Sequence, residues 1–281
     1  MKKFIAFLLI LACMLLLGGC GGEQASPLSR EVTILMYHHF EDTINNYTVV
    51  AKDRFREQLT ALKKAGYETV TLAELIAFVE EDGPLPEKPL LITMDDGYTS
   101  NLTVAAPILE EFSMSATVFV IGMNEGQTVY AHSGQPLDPP RFAYAEAQPW
   151  IDRGVLEIQS HTYDLHQRAS YGFSGREGVL RLEGESDADY KAAVLADCKR
   201  FKEARAGKLT SELVALAYPY GFHTPEIDAV LESEFKLTVT TKEHTNIVTQ
   251  GDASTLRMMG RFNVSGELTG AGLVERLQNA E

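Results

Sequence analysis

The sequence predicts an α/β fold in which a parallel sheet is covered by helices. Short apolar or β-branched runs alternate with amphipathic segments along residues 31–281, which is typical of repeated strand–helix units. Polar motifs follow several of the strand-like runs, at the positions where parallel sheets build their active sites. The sheet is predicted to close into a (β/α) barrel, and an open, doubly wound sheet is the alternative.

The individual elements are predicted from residue type and spacing. β-Branched and aromatic residues mark the strands, whereas a capping-box spacing at Thr71 and Glu74 and the terminal Gly66 mark the helices. Strands are predicted at 32–37, from 68, and at 90–94, 116–122, 154–160, 213–221, 236–241 and 258–265. Helices are predicted at 55–66, 71–83, 102–112 and 188–206, with a terminal helix after the last strand. The polar stretch 123–148 is predicted to be a surface insertion.

The N-terminal residues have the pattern of a bacterial lipoprotein signal peptide. Lys2 and Lys3 precede an apolar run, Phe4 to Leu17, which is too short to span a membrane comfortably. The small residues before Cys20 resemble a lipobox, and this resemblance implies cleavage before Cys20 and diacylation of its sulfur. An ordinary signal peptide or a buried N-terminal helix is the alternative, and Cys13, inside the apolar run, is a weaker candidate for lipidation.

This leader predicts three parts of the chain. Residues 1–19 are the signal peptide, residues 20–30 are a flexible tether with the lipidated Cys20, and residues 31–281 are the folded domain. A lipid chain on Cys20 would hold the domain at the outer surface of the bacterial cell membrane without spanning it.

The charge and the missing loop motifs exclude two classes of partner. A formal net charge of −14 at pH 7 argues against nucleic acid and other polyanions. The sequence has no glycine-rich G-x-G-x-x-G or G-K-[ST] loop, so nucleotide binding has no local support. A neutral or cationic polymer is compatible with such an acidic chain.

Reactive side chains are concentrated in four motifs at or just after predicted strands. These motifs are YHHF (37–40), DDG (95–97), SHTYDLH (160–166) and AYPYG (217–221). Because the carboxyl ends of parallel strands lie at one end of the sheet, we expect the four motifs to meet there.

His161 and His166 are predicted to bind a metal ion. They are five residues apart, which on a helix would rotate the two rings about 500° from each other and excludes a helical H-E-x-x-H site. On an irregular loop both imidazoles can reach one ion. Two histidines with Asp95 or Asp96 would leave an open position, as in catalytic zinc sites.

The remaining side chains fit the other roles of a hydrolytic site. The aspartate that does not bind the metal would accept a proton from the attacking water. His38 or His39 would protonate the leaving group. A non-haem iron site uses the same three ligands, but the spare aspartate favours hydrolysis.

The DDG, SHTYDLH and AYPYG motifs resemble those of the polysaccharide deacetylases, the NodB-homology or carbohydrate esterase family 4 group. The resemblance implies metal-dependent removal of acetyl groups from N-acetylglucosamine (GlcNAc) units. MYHHF (36–40) is similar to the poly-N-acetylglucosamine deacetylase branch, whose motif order is circularly permuted. The resemblance covers residues 31–265 and implies a distorted, incomplete barrel of about seven parallel strands.

The resemblance also implies the roles of individual residues. Asp95 corresponds to the general base, and His38 corresponds to the catalytic acid of the permuted branch, with His39 as the less favoured choice. The implied ligands of one divalent ion are Asp96, His161 and His166, with zinc as the expected metal and other divalent transition metals as alternatives.

The AYPYG motif is expected to contact the substrate, but it departs from the family pattern. Tyr220, after Pro219, corresponds to the residue whose backbone N–H points at the oxyanion. Ala217 stands where classical members carry an arginine that would keep the base ionised. Arg261, in GRFNV on another predicted strand, is the candidate replacement.

Together these features predict a lipid-anchored deacetylase that acts on an extracellular GlcNAc polymer of the exopolysaccharide type. Peptidoglycan is the alternative substrate, and a catalytically silent carbohydrate-binding lipoprotein is the alternative function. Tyr98, Tyr144 and Trp150 are candidates for stacking against sugar rings.

Overall fold

The computed structural model describes residues 26–280, which form a mostly parallel sheet flanked by helices. The predicted signal peptide and Cys20 lie outside the described residues. The strands are β1 Ser29–Tyr37, β2 His39–Glu41, β3 Val49–Ala51, β4 Glu68–Thr69, β5 Pro89–Asp96, β6 Ala116–Val120, β7 Leu156–Ser160, β8 Ala215–Ala217, β9 Leu237–Val239, β10 Asn246–Thr249 and β11 Phe262–Asn263. The α-helices are α1 Lys52–Lys64, α2 Leu72–Glu81, α3 Ala106–Phe112, α4 Tyr144–Asp152, α5 Asp187–Arg205, α6 Pro225–Leu231 and α7 Gly270–Gln278.

Seven parallel strands form the distorted, incomplete barrel that the sequence predicts. The order β1-β5-β6-β7-β8-β9 is parallel throughout, and the short β11 pairs with β1 on its other side. Met259, just before β11, forms a parallel bridge with Val239 of β9. Among the described residues, this short segment joins the two sides of the curled sheet. The fold prediction is confirmed, and the open, doubly wound alternative is wrong.

Three local features differ from the sequence prediction. β10 is an extra strand that pairs antiparallel with the first residues of β1, which begins at Ser29, within the segment predicted as a tether. Helix α4 begins at Tyr144, inside the predicted insertion, and contains Pro149, which disfavours a helix in a sequence-based prediction. The helix predicted from residue 102 starts as a π-helical turn, Asn101–Ala105, before α3.

The alternation of side chains along β5 decides which groups enter the barrel. Leu90, Ile92 and Met94 pack in the hydrophobic cluster that includes residues of α1, α3 and α7. Leu91 packs on the other side, in the cluster that includes α2 and residues of β8 and β9. Because side chains alternate with a period of two, Asp95 lies on the same side of the strand as Leu91. Asp96 follows in a left-handed conformation at the end of the strand, and both carboxylates approach His161 Nε2, at 3.8 Å for Asp95 and 3.7 Å for Asp96.

No helix within residues 26–280 combines the length and the apolar character that crossing a bilayer requires.

Candidate active site

The four predicted motifs lie at the carboxyl ends of neighbouring parallel strands. His38 follows β1, Asp95 and Asp96 end β5, His161 follows β7, and Pro219 and Tyr220 lie shortly after β8 in a 3₁₀ turn. Since β1, β5, β6, β7 and β8 are consecutive in the sheet, the barrel brings these residues to one end.

Asp96, His161 and His166 form a group that could hold one metal ion. Each offers one ligand atom, and these three atoms lie within 4.8 Å of one another. Asp96 Oδ1 is 3.7 Å from His161 Nε2 and 3.5 Å from His166 Nε2. Tetrahedral zinc ligands at ordinary bond lengths lie about 3.4 Å apart, so the donor set and its spacing fit a small divalent ion.

Hydrogen bonds and burial prepare the two histidines for metal binding. His161 Nδ1 donates to the carbonyl oxygen of Ala217 at 2.8 Å, which orients the ring so that Nε2, the possible ligand atom, faces Asp96. His166 Nδ1 lies 3.1 Å from the Tyr220 hydroxyl. Burial lowers the pKa of His166 to about 4, which keeps the ring neutral at physiological pH. Neutral imidazoles are the form that binds metal ions.

Asp96 is held as a carboxylate by its surroundings. Burial works to raise its pKa, but the nearby His166, His38 and His161 outweigh this effect and hold the pKa of Asp96 well below its usual range. The backbone of Asp96 is left-handed, with φ of 73°. Such a conformation is uncommon for a residue other than glycine and is found where surrounding structure enforces it.

Asp95 forms a buried, bidentate ion pair with Arg261. The two Asp95 oxygens accept hydrogen bonds from Arg261 at 2.7 and 2.8 Å, and the side chains of Arg261 and Asp95 are 0% and 4% exposed. Arg261 also donates to the Thr240 carbonyl and to the Thr93 hydroxyl. Burial alone would raise the pKa of Asp95. Arg261 and His161 lower this pKa by more than burial raises it, so Asp95 remains ionised.

The structure places the Arg261 guanidinium against Asp95, and the replacement of the arginine missing at Ala217 by Arg261 stays a prediction. Its guanidinium is fully buried and engaged by Asp95, Thr93 and Thr240, so it reaches the site through Asp95 and does not face the substrate directly.

The two adjacent histidines, His38 and His39, have different hydrogen-bond surroundings. Both ring nitrogens of His39 are hydrogen-bonded, Nδ1 with the Ser100 hydroxyl at 2.8 Å and Nε2 with Glu41 at 2.7 Å. His38 Nδ1 is buried and has no hydrogen-bond partner in the described chain. His38 is among the groups that lower the pKa values of both aspartates.

The 3₁₀ turn at Pro219–Gly221 presents Tyr220 to the site in a left-handed conformation, with φ of 56°. Within residues 26–280, the Tyr220 backbone N–H donates to no backbone or side-chain acceptor. This N–H is therefore available to an external acceptor. The Tyr220 hydroxyl, which the sequence analysis did not consider, contacts His166 and lies 3.3 Å from the Tyr171 hydroxyl.

Asp197 is a further residue near the site that the sequence analysis missed. Its two carboxylate oxygens accept hydrogen bonds from the backbone N–H groups of Tyr163 and Asp164 at 2.7 and 2.8 Å. These groups lie in the loop between His161 and His166. Asp197 lies on α5, far away in the sequence, and no motif surrounds it.

Of the aromatic residues predicted to stack on sugars, only one lines the cavity beside the site. Tyr98 lines it, and the Arg141 guanidinium lies 3.7 Å from the centre of its ring. Tyr144 is fully buried, and Trp150 packs against the hydrophobic core, so the prediction is wrong for Tyr144 and finds no support for Trp150.

Curated proteins with similar sequences support a common family. YxkH of Bacillus subtilis (strain 168) is 27% identical over 86% of this chain and 75% of its own length. The poly-β-1,6-N-acetyl-D-glucosamine N-deacetylases of Escherichia coli (strain K12) and Staphylococcus aureus (strain MSSA476) are each 25% identical, over 71% and 63% of this chain. The matches cover only 32% and 55% of those two proteins.

Solved structures and a family model complete the comparison. IcaB from Ammonifex degensii has a TM-score of 0.72 at 24% identity, and the match covers 89% of this chain and 97% of IcaB. A de-N-acetylase from Aggregatibacter actinomycetemcomitans has a TM-score of 0.71 at 22% identity, covering 87% and 99%. These structures show the same fold. The polysaccharide deacetylase family model matches residues 82–237, more than half of the chain, and the protein therefore belongs to this family of hydrolases, which cleave N-acetyl amide bonds.

Proposed function

We propose that this chain is a metal-dependent deacetylase that hydrolyses the N-acetyl amide of GlcNAc units in an extracellular polymer of the poly-β-1,6-GlcNAc type. The observation that carries the proposal is the group Asp96, His161 and His166 beside a second buried carboxylate, Asp95. The substrate is suggested by relatives named poly-β-1,6-N-acetyl-D-glucosamine N-deacetylases.

In this proposal Asp96, His161 and His166 hold one divalent ion, with zinc as the first choice. When bound, such an ion polarises the acetyl carbonyl and lowers the pKa of a coordinated water. Two neutral imidazoles and one carboxylate leave an open coordination position, which suits a catalytic site.

The other residues of the site move protons and stabilise charge. Asp95, kept ionised by Arg261, accepts a proton from the water that attacks the acetyl carbon. The Tyr220 N–H donates to the oxygen that becomes negative, a contribution of about 10²–10³ in rate for such donors. His38 then gives a proton to the amine as the C–N bond breaks, and acetate and a free glucosamine amine are the products.

Two alternatives make different predictions. A peptidoglycan deacetylase would use the same residues on a GlcNAc unit that carries peptide-linked neighbours. A catalytically silent carbohydrate-binding protein would be expected to lack one catalytic group, whereas this chain has a candidate for each. Acetate release measured in parallel on β-1,6-linked GlcNAc oligomers, chitooligosaccharides and peptidoglycan fragments separates the three.

The metal is tested with the same assay and two variants. Chelator treatment should abolish acetate release, and added zinc should restore it. Asp95→Asn should keep stoichiometric metal but lose turnover by at least about 10²-fold, because the base is removed. His161→Ala should lose the metal, as measured by elemental analysis.

Asp42→Asn is the matched control, since the Asp42 side chain is 76% exposed and pairs with Lys52. It should retain both metal and activity. Full activity of Asp95→Asn would refute the base assignment. Absence of acetate release from every polymer by metal-loaded protein would favour the binding alternative.

Lipid attachment at Cys20 is proposed from the sequence of the leader alone. Full-length protein expressed in a bacterial host should be found in the membrane fraction, and Cys20→Ser should move it to the soluble extracytoplasmic fraction. Equal fractionation of the two proteins would contradict lipidation at this cysteine.

A further inference from the structure

One face of helix α5 lies against the loop between the two candidate histidine ligands. Asp197, Arg200 and Phe201 are spaced i, i+3 and i+4, which places them on the same face of the helix. The Arg200 guanidinium lies 4.3 Å from the centre of the Tyr163 ring in that loop. A Cβ atom at Gly122, in the turn after β6, would lie 2.9 Å from ring carbons of both Phe201 and Tyr163. The helix, the loop and this turn therefore approach one another as closely as a glycine allows.

Asp197 binds the main chain of the loop with both carboxylate oxygens. The residue is 5% exposed, and it accepts the backbone N–H groups of Tyr163 and Asp164 at 2.7 and 2.8 Å. Successive backbone N–H groups can form a concave anion-binding site, and here the carboxylate of α5 occupies it. Hydrogen bonds to an ionised group are roughly twice as strong as those between neutral groups. The contact therefore fixes the path of the chain between the two histidines.

The carbonyl groups of the same loop are bonded to the turn after β6. Gly122 N–H donates to the Thr162 carbonyl oxygen at 3.0 Å, and Met123 N–H donates to the Tyr163 carbonyl oxygen at 2.8 Å. The main chain of the loop is thus bonded on one side through its carbonyl groups and on the other through the N–H groups that Asp197 accepts.

The loop begins with a strained residue. Thr162, directly after His161, has a left-handed backbone with φ of 68°, which is an outlier for a β-branched side chain. Such a conformation costs about 1–3 kcal/mol and persists only where the surrounding structure enforces it. Without the bonds to Asp197, we expect Thr162 to relax toward an ordinary backbone conformation, which would turn the chain that leads from His161 to His166.

We propose that Asp197 is a positioning residue for the metal ion, because its hold on the loop sets the separation of His161 and His166 before an ion enters. This role rests on the metal site of the proposed function. Ligands that already converge on one point lose less conformational entropy when they bind. Groups that support metal ligands from outside typically change the metal affinity by 10- to 100-fold when they are mutated. Asp197 would do so through the main chain of the loop.

The test measures the affinity for zinc without any substrate. Metal-free full-chain protein at neutral pH is titrated with Zn²⁺ in competition with a chromogenic chelator, which gives the Kd for zinc. Asp197→Asn keeps the size of the side chain but has one acceptor oxygen, so its amide NH₂ group faces one of the two N–H donors. It should raise the Kd for zinc about 10- to 100-fold, while circular dichroism shows that the protein is folded.

Glu157→Gln is the matched control, because Glu157 also accepts a backbone N–H with its carboxylate. It accepts from the Leu72 N–H at 3.1 Å and from the Thr117 hydroxyl at 3.2 Å. Glu157 lies near the start of β7, whereas His161 follows the end of that strand, so Glu157→Gln should leave the Kd for zinc unchanged. Asp197→Glu keeps the charge and both acceptor oxygens. Its Kd should lie between those of the parent and Asp197→Asn, and it replaces Asp197→Asn in the test if that variant does not fold.

The positioning role and the proposed function fail in different ways. Equal Kd values for zinc in the parent and Asp197→Asn, with normal acetate release by the parent, would refute the positioning role alone. An equally large rise in Kd for Glu157→Gln would also refute it, since the effect would then follow from the loss of any such carboxylate. A parent that binds zinc but releases no acetate would refute the proposed function, and a raised Kd in Asp197→Asn would still support the positioning role. A parent that binds no divalent metal ion would refute both.

Discussion

Arg261 is predicted to stabilise the protein mainly by neutralising Asp95. Both side chains are almost completely buried, and two short hydrogen bonds join them. Arg261→Met removes the positive charge and leaves the Asp95 carboxylate buried without its partner. Breaking a buried ion pair from one side costs about 3–5 kcal/mol, so the free energy of unfolding should fall by that amount.

A double-mutant cycle separates this charge effect from lost packing. In the Asp95→Asn background no carboxylate is left buried without a partner. Arg261→Met should therefore lower the free energy of unfolding by about 2–3 kcal/mol less than it does in the parent protein. Urea unfolding of the four metal-free proteins, followed by circular dichroism, gives the four free energies. Arg261→Lys keeps a charge without the bidentate geometry and should fall between the parent and Arg261→Met.

Additive effects in this cycle would refute the argument. They would mean that Arg261 stabilises the barrel through its bonds to Thr93 and Thr240 alone. A parent-like stability of Arg261→Met would refute it more directly.

The remaining predictions concern the two histidines after β1 and Asp197. His38→Asn should lower kcat by about 10²–10⁴-fold with little change in stability. His39→Asn should lower the free energy of unfolding by about 1–3 kcal/mol, because its buried hydrogen bond with Ser100 and its partly buried one with Glu41 are lost. The reverse pattern in kinetics and urea unfolding would assign the acid to His39. Burial raises the pKa of Asp197 from 3.8 to about 6, so its contribution to stability is greatest below pH 4 and is lost as the pH rises through 6. The stability difference between the parent and Asp197→Asn should therefore shift against the parent by about 2 kcal/mol between pH 4 and pH 7, and a constant difference would contradict the raised pKa.

The metal group could be predicted from sequence because its chemistry is visible in residue types. Two aspartates end one strand, and His161 and His166 follow another. Because parallel strands place these ends at the same edge of the sheet, few other arrangements of these four side chains are possible. Residue types alone left open which aspartate binds the metal. In the structure, the alternation along β5 and the left-handed backbone of Asp96 turn Asp96 toward the histidines and Asp95 toward Arg261.

Other parts of the site depend on contacts between distant segments and leave no local pattern. Asp197 meets the loop between the histidines because α5 packs against the turn Gly122–Asn124 that follows β6, and nothing in its own helix distinguishes it from the neighbouring acidic residues. β10 is four residues long, and its pairing with β1 joins positions more than 200 residues apart. The proposal of His38 over His39 as the acid depends on the contacts of His39 with Ser100 and Glu41, and Ser100 is about 60 residues away in the sequence.

The segment that joins β9 to β1 also carries the counter-ion of Asp95. A chain emerging from the ribosome contains Asp95 long before Arg261 is made, so the nascent barrel holds an acidic group with no cation to offset it. The candidate active site would then be completed last, when the C-terminal segment that carries Arg261 packs against the sheet. Partial unfolding that began at the C-terminal segment would therefore remove activity while the loop that carries His161 and His166 was still folded.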